Sequence, residues 1–524
     1  MVVPVTQTGD VATDSYHRWR EDVALLAGLG ATAYRFSFRW PRVQPDGSGP
    51  ANGVGLDYYD RLTDSLLAAG ITPVPTLYHW DLPQPLEDAG GWMNRATAGR
   101  FADYAAIVAG RLADRIGLWI TLNEPFIVTA LGYAFGLHAP GRALMVDALP
   151  TAHHQLLGHG LATAALRAAG ARQVMITNHY SPVWPASASP EDHAAVRAYD
   201  SLHNRLFTDP VLLGRYPDLS PYGLGGDETG GLDCVQDGDL AVISAPLDGL
   251  GANYYAPTKV AAPADPPLPF RLEPITGYPV TAFGWPVVPR GLAETLTMLA
   301  ERYGNGAALP PLYITESGCS NDDVVAADGT VDDQFRIDYV DAHLRALHAA
   351  MAAGADVRGY FYWTLADNFE WNQGFSQRFG LVYVDHATQA RTPKKSYDWY
   401  RDHISRQRPL GGVQRPGVGV DERLRGPVAF LRDHREVPVH GLGEDEHRRH
   451  EIGGRRGTAR DAGVDVGGPG ADRPGRRPGG PGDARHDVPG VAAEGDLRRL
   501  DAVVAARDQD RERRRGGRAP RSRG

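Results

Sequence analysis

The chain has 524 residues, 42% of them hydrophobic and 9% aromatic, enough to bury a large core and to build an α/β barrel, which takes about 250 residues or more as one domain. A net charge of −9 argues against nucleic-acid binding, and two cysteines, Cys234 and Cys319, exclude a disulfide framework or a multi-cysteine metal site. The stretch from Met1 to Asp22 lacks the apolar core of a secretory signal, and no later run is long enough to span a bilayer, so a cytoplasmic protein without membrane partners is expected.

From Asp14 to about Ser405, helix-like and strand-like segments alternate. Asp14 to Leu29 has helical apolar spacing and stops at Gly30. The strand Ala33 to Phe38 follows, then a Pro/Gly-rich loop from Pro41 to Gly55. A helix over Asp57 to Ala69 leads into the strand Thr72 to Tyr78, which closes on His79-Trp80-Asp81. The helix Thr97 to Asp114 precedes the strand Leu118 to Leu122, which closes on Asn123-Glu124-Pro125. The helix Thr151 to Ala169 then precedes the strand Gln173 to Asn178. Further strands run over Leu247 to Tyr255, over Leu312 to Thr315 with Glu316-Ser317-Gly318 at its end, and over Val357 to Leu365. Strands alternating with helices are the pattern of right-handed βαβ units. The prediction is an α/β fold, a (β/α)8 barrel over 1–408 lacking one strand. Because the chain opens in a helix, the absent strand is the first.

Beyond about Arg408 the composition changes to Arg, Gly, Asp, Pro, Ala and Val, with Phe430 the single aromatic and neither Lys nor Asn. Segments such as Gly467 to Gly482 cannot bury an apolar face, so 409–524 is expected to be a disordered, low-complexity tail. Its reliance on Arg for positive charge points to an out-of-frame translation of a GC-rich gene. Interspersed Asp and Glu count against a nucleic-acid-binding role.

Two strands thus end on a carboxylate, Glu124 and Glu316. A charge where a buried strand emerges is costly unless paired or functional, and in a parallel barrel that end carries the chemistry. Carboxylates about 5–5.5 Å apart permit double displacement at an anomeric carbon, whereas about 6.5–9.5 Å admits a water and inverts; sequence alone leaves both open. Other strand ends supply Arg35, His79, Trp80, Asn253, Tyr255 and Trp363, and a following loop supplies Glu370 and Trp371. Hydrogen-bonding side chains beside indoles suit a pyranose, giving edges for hydroxyls and a flat apolar floor. An Arg near one carboxylate would keep it ionised, and a Tyr hydroxyl would orient it. His153, His154 and His159 lie on one helix without the i,i+4 spacing of a helical metal pair, so packing is expected there. No metal and no cofactor is expected.

The stretches TLYHWDLPQPLEDAGGW, WITLNEPF, GANYYAP, YITESG and FYWTLADNFEWNQGFSQRFGL, with their surroundings from about Thr8 to Arg408, resemble glycoside hydrolase family 1, the β-glucosidase family. The resemblance implies a (β/α)8 barrel and a retaining mechanism, with Glu124 as acid/base and Glu316 as nucleophile. It makes His79, Trp80 and Asn123 glycone contacts, Trp363 a stacking platform, and Glu370 with Trp371 the binders of the far sugar edge. Asn253 lies in the matching substrate-binding stretch, Tyr255 would hydrogen-bond Glu316, and Arg35 would bring positive charge beside it. The implied partner is a small β-glucoside or cello-oligosaccharide; the oligomeric state stays open.

Two departures stand out. Ser317 replaces the family's usual Asn beside the nucleophile, and the family's first strand, with its Gln-Ile-Glu-Gly motif, precedes the point where this chain starts. A barrel without that strand has unpaired edges, so the product as written is expected to be impaired. The leading expectation is a retaining β-glucosidase. The alternatives are a 6-phospho-β-glucosidase, disfavoured because Glu370 would repel phosphate, and an inactive truncated carbohydrate-binding remnant.

Overall fold

The computed structural model describes residues 7–263, 268–304 and 309–407; the predicted tail over 409–524 lies outside the described residues. Seven parallel strands form one sheet in chain order: β1 (Ala33–Ser37), β2 (Thr72–Tyr78), β3 (Leu118–Asn123), β4 (Gln173–His179), β5 (Gly249–Asn253), β6 (Leu312–Ser317) and β7 (Val357–Tyr362). Long helices alternate with them: α1 (Ser15–Leu29), α2 (Gly53–Ala68), α3 (Ala96–Leu112), α4 (Leu149–Ala168), α5 (Pro289–Tyr303), α6 (Gln334–Ala352) and α7 (Lys395–Gln407). This is the family of (β/α) barrels. Among the described residues β1 pairs only with β2 and β7 only with β6, so a seam separates β7 from β1. The segment between β4 and β5 carries a helix, Pro190–Asp200, beside a small sheet of Val183–Pro185, Thr258–Ala261 and Arg271–Glu273.

The strands alternate in which core they serve. Val74, Leu118, Ile120, Met175 and Tyr313, from four strands, form one cluster inside the curve, while Trp119, Leu122, Val174, Ile176 and Ile314 join the larger core shared with the helices. Both faces are covered, so β3 is buried along its whole length, which is why its sequence reads as an unbroken apolar run. Each such large side chain contributes about 1.5–3 kcal/mol by leaving water.

Register shifts interrupt the sheet at several points. β3 slips against β4 between Ile120 and Asn123, β5 against β6 between Ala252 and Asn253, and β6 against β7 twice, between Val357 and Gly359 and between Tyr360 and Tyr362. Irregularities of this kind re-aim side chains next to active sites, and those at Asn123, Asn253 and Tyr362 lie at the carboxyl ends of the strands, whereas the one at Val357 is at the start of β7. Several boundaries differ from the sequence reading: the strand read over Leu247 to Tyr255 is Gly249–Asn253, that over Val357 to Leu365 ends at Tyr362, and α2 begins at Gly53, ahead of Asp57. A Cβ on Gly55 would stand 2.2 Å from the Arg42 carbonyl oxygen. Glycine there allows that close approach, and its poor helix propensity hid the first turn.

Beneath the loops that follow β6 and β7 lies a buried ionic network. Lys394 Nζ donates to Asp323 at 2.6 Å and to Asp367 at 2.7 Å. Arg336 donates to Asp323 at 2.7 Å, to Asp333, and to the Arg378 carbonyl at 2.8 Å, while Arg378 donates to Asp367 at 2.7 Å. Three cations balance three carboxylates, tying the loop after Glu316 to the loop bearing Glu370. Removing one member of such a network strands a buried charge, so Lys394→Met is expected to destabilise the fold by about 3–5 kcal/mol. Urea unfolding followed by circular dichroism measures this; an unchanged midpoint would show that the network carries no such weight. Among the described residues, no helix is long and apolar enough to cross a membrane.

Candidate active site

Arg35 leaves β1 and its guanidinium reaches three other strands. Nε donates to Thr76 Oγ1 at 3.2 Å, Nη2 to Asn123 Oδ1 at 2.6 Å, and Nη1 to the Thr315 carbonyl at 3.3 Å and to Glu316 Oε1 at 2.5 Å. A planar fork of five donors suits this task, and a lysine would not span it. The other oxygen of Glu316 accepts from the Tyr255 hydroxyl at 2.7 Å. Both oxygens are therefore held.

Glu124 follows β3, is 4% exposed, and has a left-handed φ of 46°. Its Oε1 accepts from Asn253 Nδ2 at 2.7 Å, and Asn253 Oδ1 accepts from the Thr315 hydroxyl at 2.7 Å. Asn253 Nδ2 also reaches Asn123 Oδ1 at 3.2 Å, so a chain of amides and Arg35 joins the two glutamates. Burial pushes the Glu124 carboxyl up to about 8; Glu316 pushes the same way, and Asn253 and Arg35 oppose. A carboxyl that keeps its proton at neutral pH beside an oriented second carboxylate is suited to proton donation at a reacting bond.

Asn123 Nδ2 hydrogen-bonds His79 Nε2 at 3.1 Å, and His79 Nδ1 bonds Ser37 Oγ at 2.9 Å. Both ring nitrogens of His79 are thus engaged within the protein. Burial, with Arg35 adding to it, brings His79 down to about 3, so its ring is neutral. With both lone pairs of Oδ1 in use, Asn123 keeps one Nδ2 hydrogen to offer a ligand.

The indoles form a wall on the same side. Trp80 lies 4.9 Å from Trp371, and His79 lies 5.9 Å from Trp371 and 6.0 Å from Trp363, between ring centroids. Trp80 is pinned by its Nε1 donating to the Asn123 carbonyl at 2.9 Å. A Cβ on Gly318 would lie 1.9 Å from the Trp363 carbonyl oxygen, so only glycine lets the two loops meet. Glu370 accepts from Asn368 Nδ2 at 2.8 Å, and burial pushes its carboxyl up to about 7. Trp80, Glu124 and Trp371 have φ of 76°, 46° and 45°. Such conformations cost on the order of 1–3 kcal/mol each and cluster at functional sites.

Sequence reasoning passed over Ser37, Thr76 and Thr315, whose hydroxyls orient His79, Arg35 and Asn253. Their only signal was position at a strand end. The histidines of α4 point to separate partners: His153 to Tyr216 and Asp239, His154 to the Trp92 carbonyl, and His159 to Thr121. These contacts pack the helix against its neighbours.

Residues 2–409 match the model of the family described as "Glycosyl hydrolase family 1". The "Thermostable beta-glucosidase B" of Thermobispora bispora is 49% identical over 406 residues, covering 76% of this chain and 82% of that protein. A "Bifunctional beta-D-glucosidase/beta-D-fucosidase" of Bifidobacterium breve is 44% identical over 419 residues, covering 76% of this chain and 89% of that protein. Among solved structures, the family 1 β-glucosidase from Thermotoga maritima superposes with a TM-score of 0.72 at 40% identity, covering 77% of this chain and 89% of that one.

Proposed function

The chain belongs to glycosyl hydrolase family 1 and is a glycoside hydrolase, and from that premise we propose that it removes terminal β-D-glucosyl residues with retention of configuration. The observation that carries this reading is the pairing of a raised Glu124 carboxyl with a Glu316 carboxylate held by Arg35 and Tyr255. Glu124 gives its proton to the glycosidic oxygen as a Glu316 oxygen bonds to the anomeric carbon and the alcohol leaves. That covalent bond removes the charge that helped raise Glu124, so Glu124 then takes a proton from water, which attacks the same carbon and frees Glu316. Two inversions leave the β anomer. His79, Trp80, Asn123, Asn253, Trp363, Glu370 and Trp371 line the glycone pocket in this reading, with a small β-glucoside or cello-oligosaccharide as substrate.

Glu370 favours an unphosphorylated glycone. It is half-buried beside Asn368, and among the described residues no cation hydrogen-bonds to it, so a sugar phosphate would meet a carboxylate there. The expected result is release of nitrophenol from 4-nitrophenyl β-D-glucoside, at least about 100-fold faster than from its 6-phosphate, a difference of roughly 2.7 kcal/mol. Proton NMR of the early product should show β-glucose first. An α anomer appearing first would replace this reading by an inverting one. No release from either substrate would remove it.

A further inference from the structure

The end of β4 holds a group that the proposed chemistry leaves unused. His179, the last residue of β4, is in register with Asn253 of β5, the residue that holds Glu124. Its Nδ1 hydrogen-bonds His203 Nε2 at 2.9 Å, and His203 Nδ1 bonds the Tyr199 hydroxyl at 3.0 Å. His203 is buried in the turn Ser201–Arg205, with its ring 4.0 Å from that of Phe126. Burial holds His179 down to about 4 and His203 well below its usual value, so both rings are neutral.

Two neutral imidazoles sharing one hydrogen bond must take complementary tautomers. Either the Tyr199 hydroxyl donates to His203 and His203 to His179, leaving N–H at His179 Nε2, or the order is reversed and Nε2 carries a lone pair. That Nε2 has no hydrogen-bond partner among the described residues, and His179 is only half-buried. Its ring lies 6.3 Å from that of Tyr255, which holds Glu316. β4 is the middle strand of the sheet, whereas His79, Trp80, Trp363, Glu370 and Trp371 follow β2, next but one to the seam, and β7, beside it. His179 thus stands beside Asn253 and Tyr255, the residues that hold the two glutamates, on a different strand from those that carry the glycone wall.

We propose that His179 Nε2 binds a hydroxyl of the leaving group, a sugar or polyol alcohol, and that His203 and Tyr199 are positioning residues that fix its ring and tautomer. This inference rests on the β-glucosidase reading. A hydroxyl both donates and accepts, so it satisfies either proton order of the relay. A nitrophenyl leaving group has no such hydroxyl.

The test compares cellobiose with 4-nitrophenyl β-D-glucoside in the full chain. For His179→Phe, kcat/KM on cellobiose is expected to fall about tenfold, the loss of one hydrogen bond in a shielded site, and to change less than about threefold on the nitrophenyl glucoside. His203→Leu should show the same selective loss to a smaller degree, and His179→Gln, which keeps an amide near Nε2, should restore part of it. Glycosyl transfer to glycerol should weaken relative to hydrolysis in the Phe variant. Equal losses on both substrates in all three variants, or no loss on cellobiose, would overturn the inference while leaving the β-glucosidase reading standing. A parent chain inactive on both substrates would overturn that reading, and this inference with it.

Discussion

Glu316→Ala is expected to lower kcat on 4-nitrophenyl β-D-glucoside by roughly 10⁴–10⁶-fold, because no other group in the site replaces a covalent nucleophile. The fold should survive: the change removes a buried carboxylate that is held by Arg35 and Tyr255 at the mouth of the barrel, outside the inner apolar cluster. The shortened side chain leaves space beside the anomeric carbon on the face Glu316 occupied. Azide should enter that space and restore release of nitrophenol, giving α-glucosyl azide by a single inversion. Steady-state kinetics with and without azide, followed by NMR of the product, reads both parts. A variant within tenfold of the parent would sink the double-displacement mechanism.

Glu124→Gln should separate substrates by leaving group. With a poor leaving group such as the glucose of cellobiose, loss of the proton donor should cost about 10²–10⁴-fold in kcat/KM; an activated dinitrophenolate, which departs without a proton, should be affected far less at the first step. The pH dependence has a definite sign. Glu124 acts when protonated, and burial together with Glu316 holds its proton up to about pH 8 in the free enzyme, so kcat/KM of the parent should fall as pH rises through that value. The Gln variant should lose this limb. The same raised carboxyl binds its proton in the folded chain over a range where the unfolded chain has released it, so stability should fall as pH rises from the ordinary carboxylate range to about 8. The Gln variant, free of that penalty, should melt higher than the parent at pH 9. An alkaline limb unchanged in Glu124→Gln would assign that ionisation elsewhere.

Much of the barrel is legible in the chain because buried parallel strands have a simple grammar. β3 and β6 are apolar runs covered on both faces, so they stand out without any partner in view, and their terminal glutamates are conspicuous for the same reason. The start of α2 was less legible, since Gly53 and Gly55 lower helix propensity while the close approach of the Arg42 carbonyl demands glycine at 55. The ionic network of Asp323, Asp333, Asp367, Arg336, Arg378 and Lys394 was invisible, because its members are scattered over two loops and two helix starts.

By itself the sequence determined the class of fold, the order of the strands, and the two carboxylates at strand ends, all of which depend on local composition and periodicity. The tertiary structure decided how those carboxylates differ. Glu124 is raised by burial and by Glu316, whereas Glu316 is bound by Arg35 from β1 and by Tyr255 after β5. Those partners are separated from Glu316 by 281 and 61 positions. A carboxyl's proton affinity depends on desolvation and on charges within a few ångströms, and only the folded chain sets those distances.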